Sequence, residues 1–156
     1  METMLTMIVT WLAFTSGLPA IYDHPRIEFV SPEAMHVVRN HERGSSQAAR
    51  TALRTGPMDH REVPSEIEAQ YDDRTRTIYV RKEWSGRTPS EVSVLVHEMV
   101  HHLQNVAGLK YECPAAREKP AYDAQDRWLS LFGRNLIDEF KLDPMTVLVR
   151  TNCMNL

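Results

Sequence analysis

VLVHEMVHHL, Val94 to Leu103, joins an apolar helical stripe to two histidines four positions apart. At 3.6 residues per turn, His97 and His101 lie about 40° apart on one helix face. Val92, Leu95, Val96, Met99, Leu103 and Val106 line the other side. Two imidazoles so placed supply two corners of a tetrahedral zinc site. Glu98 falls about 100° round from His97, beside a metal instead of on it. From there a carboxylate can take a proton from a metal-activated water and hand it to a leaving group. With 7 His and 13 Glu in 156 residues, chance alone puts an HExxH match in about one such chain in forty. The plain alternative is a helix with two ordinary surface histidines. Against it stands the agreement of two levels, since packing and metal binding use different faces of the same helix.

The flanking residues frame this helix. Thr88 and Glu91 form a capping box around Pro89, and Gly108 ends the helix after Ala107. Upstream, Ile67, Ala69 and Tyr71 alternate with polar residues, and DDRTR then TIYVRK complete a hairpin. Downstream, a second helix is expected from about Arg117 to Phe132, stopped by Gly133, with Ala121, Ala124, Trp128 and Leu131 as its buried seam. TVLVR, Thr146 to Arg150, reads as a final strand. RIEFV, Arg26 to Val30, reads as a short strand, and Ser31-Pro32-Glu33 starts a helix to about Arg39. Residues 40–65 look loop-like, with QAARTAL as a short helix inside them. At the N-terminus, METMLTMIVTWLAFTSGLPA could pass for a secretory signal, but no Lys or Arg precedes Arg26 and Glu2 stands in the n-region. Thr3, Thr6 and Thr10 make a narrow polar stripe opposite Met4, Leu5, Ile8, Trp11 and Leu12, as in a core-packed helix stopped by Gly17 and Pro19. The expected architecture is α+β: one domain over residues 1–156, with a small antiparallel or mixed sheet packed on an active-site helix and a glutamate-bearing helix.

A catalytic zinc site needs a third protein ligand. Asn105 stands four beyond His101 and no histidine follows His102, so a three-histidine motif is excluded. Glu118, in EKPAYDAQ, is the first candidate, because an antiparallel return of its helix brings it to the metal. Pro120 is compatible with the first turn of that helix. Glu118 could instead only stabilise a helix N-terminus; Glu112 competes from the loop, and Asp123 faces differently. Tyr122, one turn after Glu118, is the first choice to stabilise an oxyanion, with Tyr79, His102 and Arg127 as others. Tyr122 and His102 could equally be packing or supporting groups. Gln125 and Trp128 read as core or as support for the ligands. His24, His36, His41 and His60 are scattered and read as surface.

These motifs resemble the gluzincins, zinc metallopeptidases with HExxH and a downstream Glu, over His97 to about Gln125. The pattern HEMVHH followed by ExxAYxxQ is similar to that of compact bacterial domains of this type. The resemblance implies a zincin-like fold, with His97, His101 and Glu118 as zinc ligands and Glu98 as general base toward a zinc-bound water. It also implies a peptide or protein substrate, and TIYVRK as the edge strand that pairs with it. The chain departs in the short spacing from HExxH to Glu118 and in the little chain left for a lower subdomain.

Composition bounds the alternatives. Hydrophobic residues at 42% and charged residues at 25% are ordinary for a globular chain. A net charge of -3 gives no reason to propose nucleic acid as partner, and no run is long enough for a membrane span. Two other function classes stay open: a non-catalytic zinc-binding regulatory or interaction domain, closed by Cys113 or His102 as fourth ligand, and a zinc hydrolase of a non-peptide amide. Cys113 and Cys153, the only cysteines, are expected to pair, anchoring the tail and implying a periplasmic or extracellular setting. Unrelated thiols, or a latent state with a thiolate on the zinc, are the competing arrangements.

Overall fold

The computed structural model describes residues 1–35, 37–38 and 69–153. The elements in chain order are α1 (Glu2–Ser16), β1 (Arg26–Val30), β2 (Ala69–Asp72), β3 (Thr77–Arg81), α2 (Pro89–Val106), α3 (Pro114–Ser130), α4 (Leu136–Glu139) and α5 (Pro144–Thr151). The architecture is mixed α+β. Residues 32–35 and 37–38 are also helical, begun by the Ser31 hydroxyl accepting from Ala34 N–H at 3.3 Å. The rest of that expected helix, the loop, QAARTAL and Ile67 lie outside the described residues, as do His36, His41 and His60.

Helix α2 forms where its caps predict. Thr88 accepts from Glu91 N–H while Glu91 reaches back to Thr88 N–H at 3.1 Å, and Pro89 occupies the first turn. Glu91 also accepts from the Ser85 N–H and hydroxyl, each at 2.8 Å. Its carboxyl is burdened by burial, yet these Ser85 and Thr88 hydrogen bonds bring its pKa down to about 2. Gly86 is required in this turn. Its φ is +67°, and a Cβ there would lie 2.6 Å from the Trp84 ring.

Every residue from Val92 to Gln104 is buried, because α2 has neighbours all round it. The sheet has the order β1-β3-β2, with β1 parallel and β2 antiparallel to β3. Tyr71 and Ile78 from the sheet join Leu5, Ile8 and Leu12 of α1, and Ala121 and Ala124 of α3, in one core around Leu95, Met99 and Leu103. Trp11 of α1 meets Trp128 of α3 edge to face at 5.3 Å. The N-terminal apolar segment is thus a packed helix, ended by Gly17 at φ 66°.

Four sequence expectations are corrected. TVLVR is helical, not a strand: Asp143 accepts from Thr146 N–H at 2.9 Å and Pro144 sets the first turn, so capping overrides β-branched propensity. Helix α3 begins at Pro114 instead of near Arg117, which puts Pro120 inside the helix and leaves the Ala116 carbonyl without its i+4 donor. Leu129, fully buried, takes the seam position assigned to Leu131, which is exposed. TIYVRK contains the central strand β3, paired on both sides, so among the described strands β2 and β1 form the edges. Strand order depends on β1 returning from far along the chain, and no local pattern encodes it.

Cys113 and Cys153 form a disulfide, Cα atoms 5.9 Å apart, as expected. No described helix is long and apolar enough to cross a membrane.

Candidate metal centre

Helices α2 and α3 pack along each other and bring three side chains to one point. His97 and His101 of α2 and Glu118 of α3 offer ligand atoms all within 4.8 Å of one another. His97 Nε2 is 3.3 Å from one Glu118 oxygen, and His101 Nε2 is 3.3 Å from the other. The two Nε2 atoms are 3.2 Å apart. Both histidines are buried, at 9% and 7% exposure, while the Glu118 side chain is 36% exposed. One side of the cluster therefore opens to solvent.

The hydrogen bonds behind the rings fix what the rings present. His97 Nδ1 meets Gln125 Oε1 at 3.1 Å, and the Gln125 amide donates to Ser93 Oγ at 3.3 Å. His101 Nδ1 meets Gln104 Oε1 at 3.0 Å, and the Gln104 amide donates to the Arg117 carbonyl at 3.0 Å. With both carboxamide oxygens turned to the rings, each Nδ1 is the donor, so a neutral imidazole here presents its Nε2 lone pair to the site. Arg117 extends the support. Its Nε donates to Gln104 Oε1 at 3.2 Å, and its guanidinium forms a two-pronged pair with Asp73, in the turn between β2 and β3.

Two imidazole Nε2 atoms and a carboxylate thus converge on one point. Burial opposes the Glu118 charge, but hydrogen bonds from the His101 and His97 rings, and their positive charge when they are protonated, bring its carboxyl well below the usual range. With both rings neutral, such a donor set is matched by a cation. Two nitrogens and one oxygen suit zinc, with room for a fourth, non-protein ligand.

Glu98 lies on the same helix, 9% exposed, and its Oε2 accepts the Tyr71 N–H of β2 at 2.8 Å. That bond ties the sheet edge to the histidine-bearing helix, a contact the sequence did not announce. The Tyr122 ring meets His97 edge-on, centroids 4.8 Å apart, and its hydroxyl accepts from Arg150 Nη1 at 3.3 Å.

The other candidates go elsewhere. His102 is a satisfied core residue: Nε2 donates to the Asp23 carbonyl at 2.5 Å and Nδ1 faces the Tyr71 hydroxyl at 3.2 Å. Burial lowers its pKa, which favours the neutral ring. Arg127 donates to the Thr15 carbonyl at the end of α1. Tyr79 is half-buried on β3. Asp123 pairs with Lys119 at 2.8 Å, Glu112 is not in the cluster, and His24 faces Thr6 Oγ1 at 3.4 Å. Cys113 is committed to the disulfide, so neither it nor His102 closes the site.

Fold and site together define an α+β domain with a two-helix His-His-Glu cluster able to hold a metal ion. The chain belongs to the family described as Domain of unknown function (DUF6647), whose model matches residues 1–155. No curated protein and no solved structure matches it.

Proposed function

We propose that this chain is a zinc-dependent metallopeptidase of zincin-like, gluzincin type, in which His97, His101 and Glu118 hold the metal. The observation that carries this is the convergence of two imidazoles, each held through Nδ1 by a glutamine oxygen, and one carboxylate on a single point. Zinc in that position would supply Lewis acidity and make a water molecule a nucleophile near neutral pH. Gln125 and Gln104 orient the imidazoles, and Arg117, anchored on Asp73, orients Gln104 in turn. Glu98 accepts a proton from the attacking water and delivers it to the leaving amine. Its carboxylate is held in register by the Tyr71 N–H. Tyr122, beside His97, donates its O–H to the oxygen that gains charge in the transition state. The disulfide accords with an oxidising setting such as the periplasm or the cell exterior.

The same Tyr71–Glu98 bond favours a second reading, in which Glu98 is a strut between helix and sheet and the zinc is held without turnover. Glu98→Gln separates the two, because a carboxamide oxygen still accepts the Tyr71 N–H but takes no proton. Peptide-library digestion, with zinc content and melting temperature measured alongside, is the test. The peptidase reading predicts unchanged zinc and fold with hydrolysis down about 10²–10⁴-fold. A fully active Gln variant removes the general-base role from Glu98 and overturns the proposed mechanism, whereas an inactive wild type with full zinc leaves the strut reading in its place.

A further inference from the structure

Helix α5 is an odd element to keep. Eight residues are too few to be helical in isolation, and only Thr151 among them is buried. Met145, Leu148 and Val149 stand in solvent. What holds α5 against α3 includes the covalent Cys113–Cys153 link just beyond its end and one side-chain contact, Arg150 to the Tyr122 hydroxyl at 3.3 Å. Covalent fastening of a helix with little core of its own keeps some part of it in place, and the charged part it brings to the site is Arg150.

The surroundings of Arg150 suit an anion. Tyr122 bridges it to His97, and Tyr122 lies one turn from Glu118 on α3. Arg150 is exposed, and among the described residues it has no ion-pair partner. The contrast with Arg117 is direct, since that guanidinium is fully spent on Asp73 and Gln104. Donating one N–H to Tyr122 leaves the rest of the Arg150 fork available, and a planar fork matches a carboxylate two bonds at a time. The contact also orients Tyr122. A hydroxyl that accepts from a cation keeps its own proton to donate.

We propose that Arg150 is a specificity residue that binds a carboxylate of the substrate beside the metal centre. This rests on the peptidase reading above and gives that reading a substrate class: peptides with a carboxylate near the scissile bond, from the chain terminus or from an acidic side chain. If Arg150 served only the C-terminal end of the α5 dipole, its loss would alter stability slightly and ligand choice not at all.

The test measures binding, not turnover. Zinc-loaded Glu98→Gln protein is titrated calorimetrically with four N-acetylated pentapeptides, ending in free acid or amide, each with and without one Glu. Zinc is quantified on the same samples. A carboxylate-bearing form should bind about 10- to 100-fold more tightly than the form lacking that group, as expected for a charge-assisted pair. Whether the terminus or the Glu confers the gain identifies the source. Adding Arg150→Ala should erase the preference with zinc content unchanged, and Arg150→Lys should restore part of it. Equal binding of all four peptides, no binding of any, or a preference that survives Arg150→Ala overturns the proposal while leaving the zinc assignment standing. A protein that retains no zinc overturns the metallopeptidase reading and this proposal with it.

Discussion

Helix α2 keeps every residue from Val92 to Gln104 out of solvent, whereas α5 buries only Thr151 and is fastened through the disulfide beyond its end. One element is positioned by the core; the other packs with only half-buried residues and Thr151, and adds a covalent link and a polar contact. The two also meet the candidate metal centre differently. The α2 histidines are braced from behind by Gln104 and Gln125, whereas, among the described residues, α5 reaches the site through Arg150 and Tyr122. Burial makes α2 rigid to any change of volume. Helix α5 is instead sensitive to redox state and indifferent to the trimming of its exposed apolar face.

The sharpest contrast is one substitution placed in both helices. Leu95→Ala, at 1% exposure, should cost about 2–5 kcal/mol in a denaturant titration. Leu148→Ala, at 54% exposure, should stay within about 0.5 kcal/mol. Similar losses at the two sites would mean that α5 is held by burial after all.

Replacing both cysteines by serine should cost somewhat less than the core deletion. The disulfide spans a sequence separation of 40, for which loop-closure entropy allows about 4 kcal/mol, with about 2–4 typical. Amide exchange should quicken in α5 and at the start of α3, where Cys113 is the N-cap, and stay unchanged in the middle of α2. Uniform quickening would contradict the division between the two helices.

The smallest effect concerns the α2 cap and acid. The folded-state pKa of Glu91 is depressed to about 2 from 4.5. Its contribution is therefore present above the unfolded value and is lost as pH falls from about 5 toward 2. Because Glu91 is largely open to solvent screening, a gradual change is expected. The stability difference between wild type and Glu91→Gln should shrink over that window, and a difference constant with pH would deny the carboxylate its role.

This division also explains what could be read from the sequence. Helix α2 was legible because its caps, its stripe and HExxH are local patterns that agree with one another. The β2–β3 hairpin was legible for the same reason. The residues of α5 read as a strand because Thr146, Val147 and Val149 are β-branched, although Asp143-Pro144 spells a helix start. The true start of α3 was similarly written in Cys113-Pro114. Strand order was not legible, since β1 pairs with β3 across the whole intervening chain. At the site, His97, His101 and Glu118 come together as spacing and the antiparallel return suggested. Gln104 and Arg117 were missed. A glutamine three residues past a candidate ligand, on the same helix, was the available sign. The bond from Tyr71 to Glu98 depends on tertiary packing alone.

The most direct measurement is the zinc content and dissociation constant of the purified protein, taken by elemental analysis and chelator competition for wild type, His97→Ala, His101→Ala and Glu118→Ala. One zinc per chain is predicted in the wild type. Stoichiometric metal should disappear on dialysis in either histidine variant, and affinity should weaken markedly in Glu118→Ala, because two remaining ligands hold zinc poorly against a chelator. Full zinc in either histidine variant, or an unchanged dissociation constant in Glu118→Ala, would contradict the assignment of the His97–His101–Glu118 cluster as the metal centre.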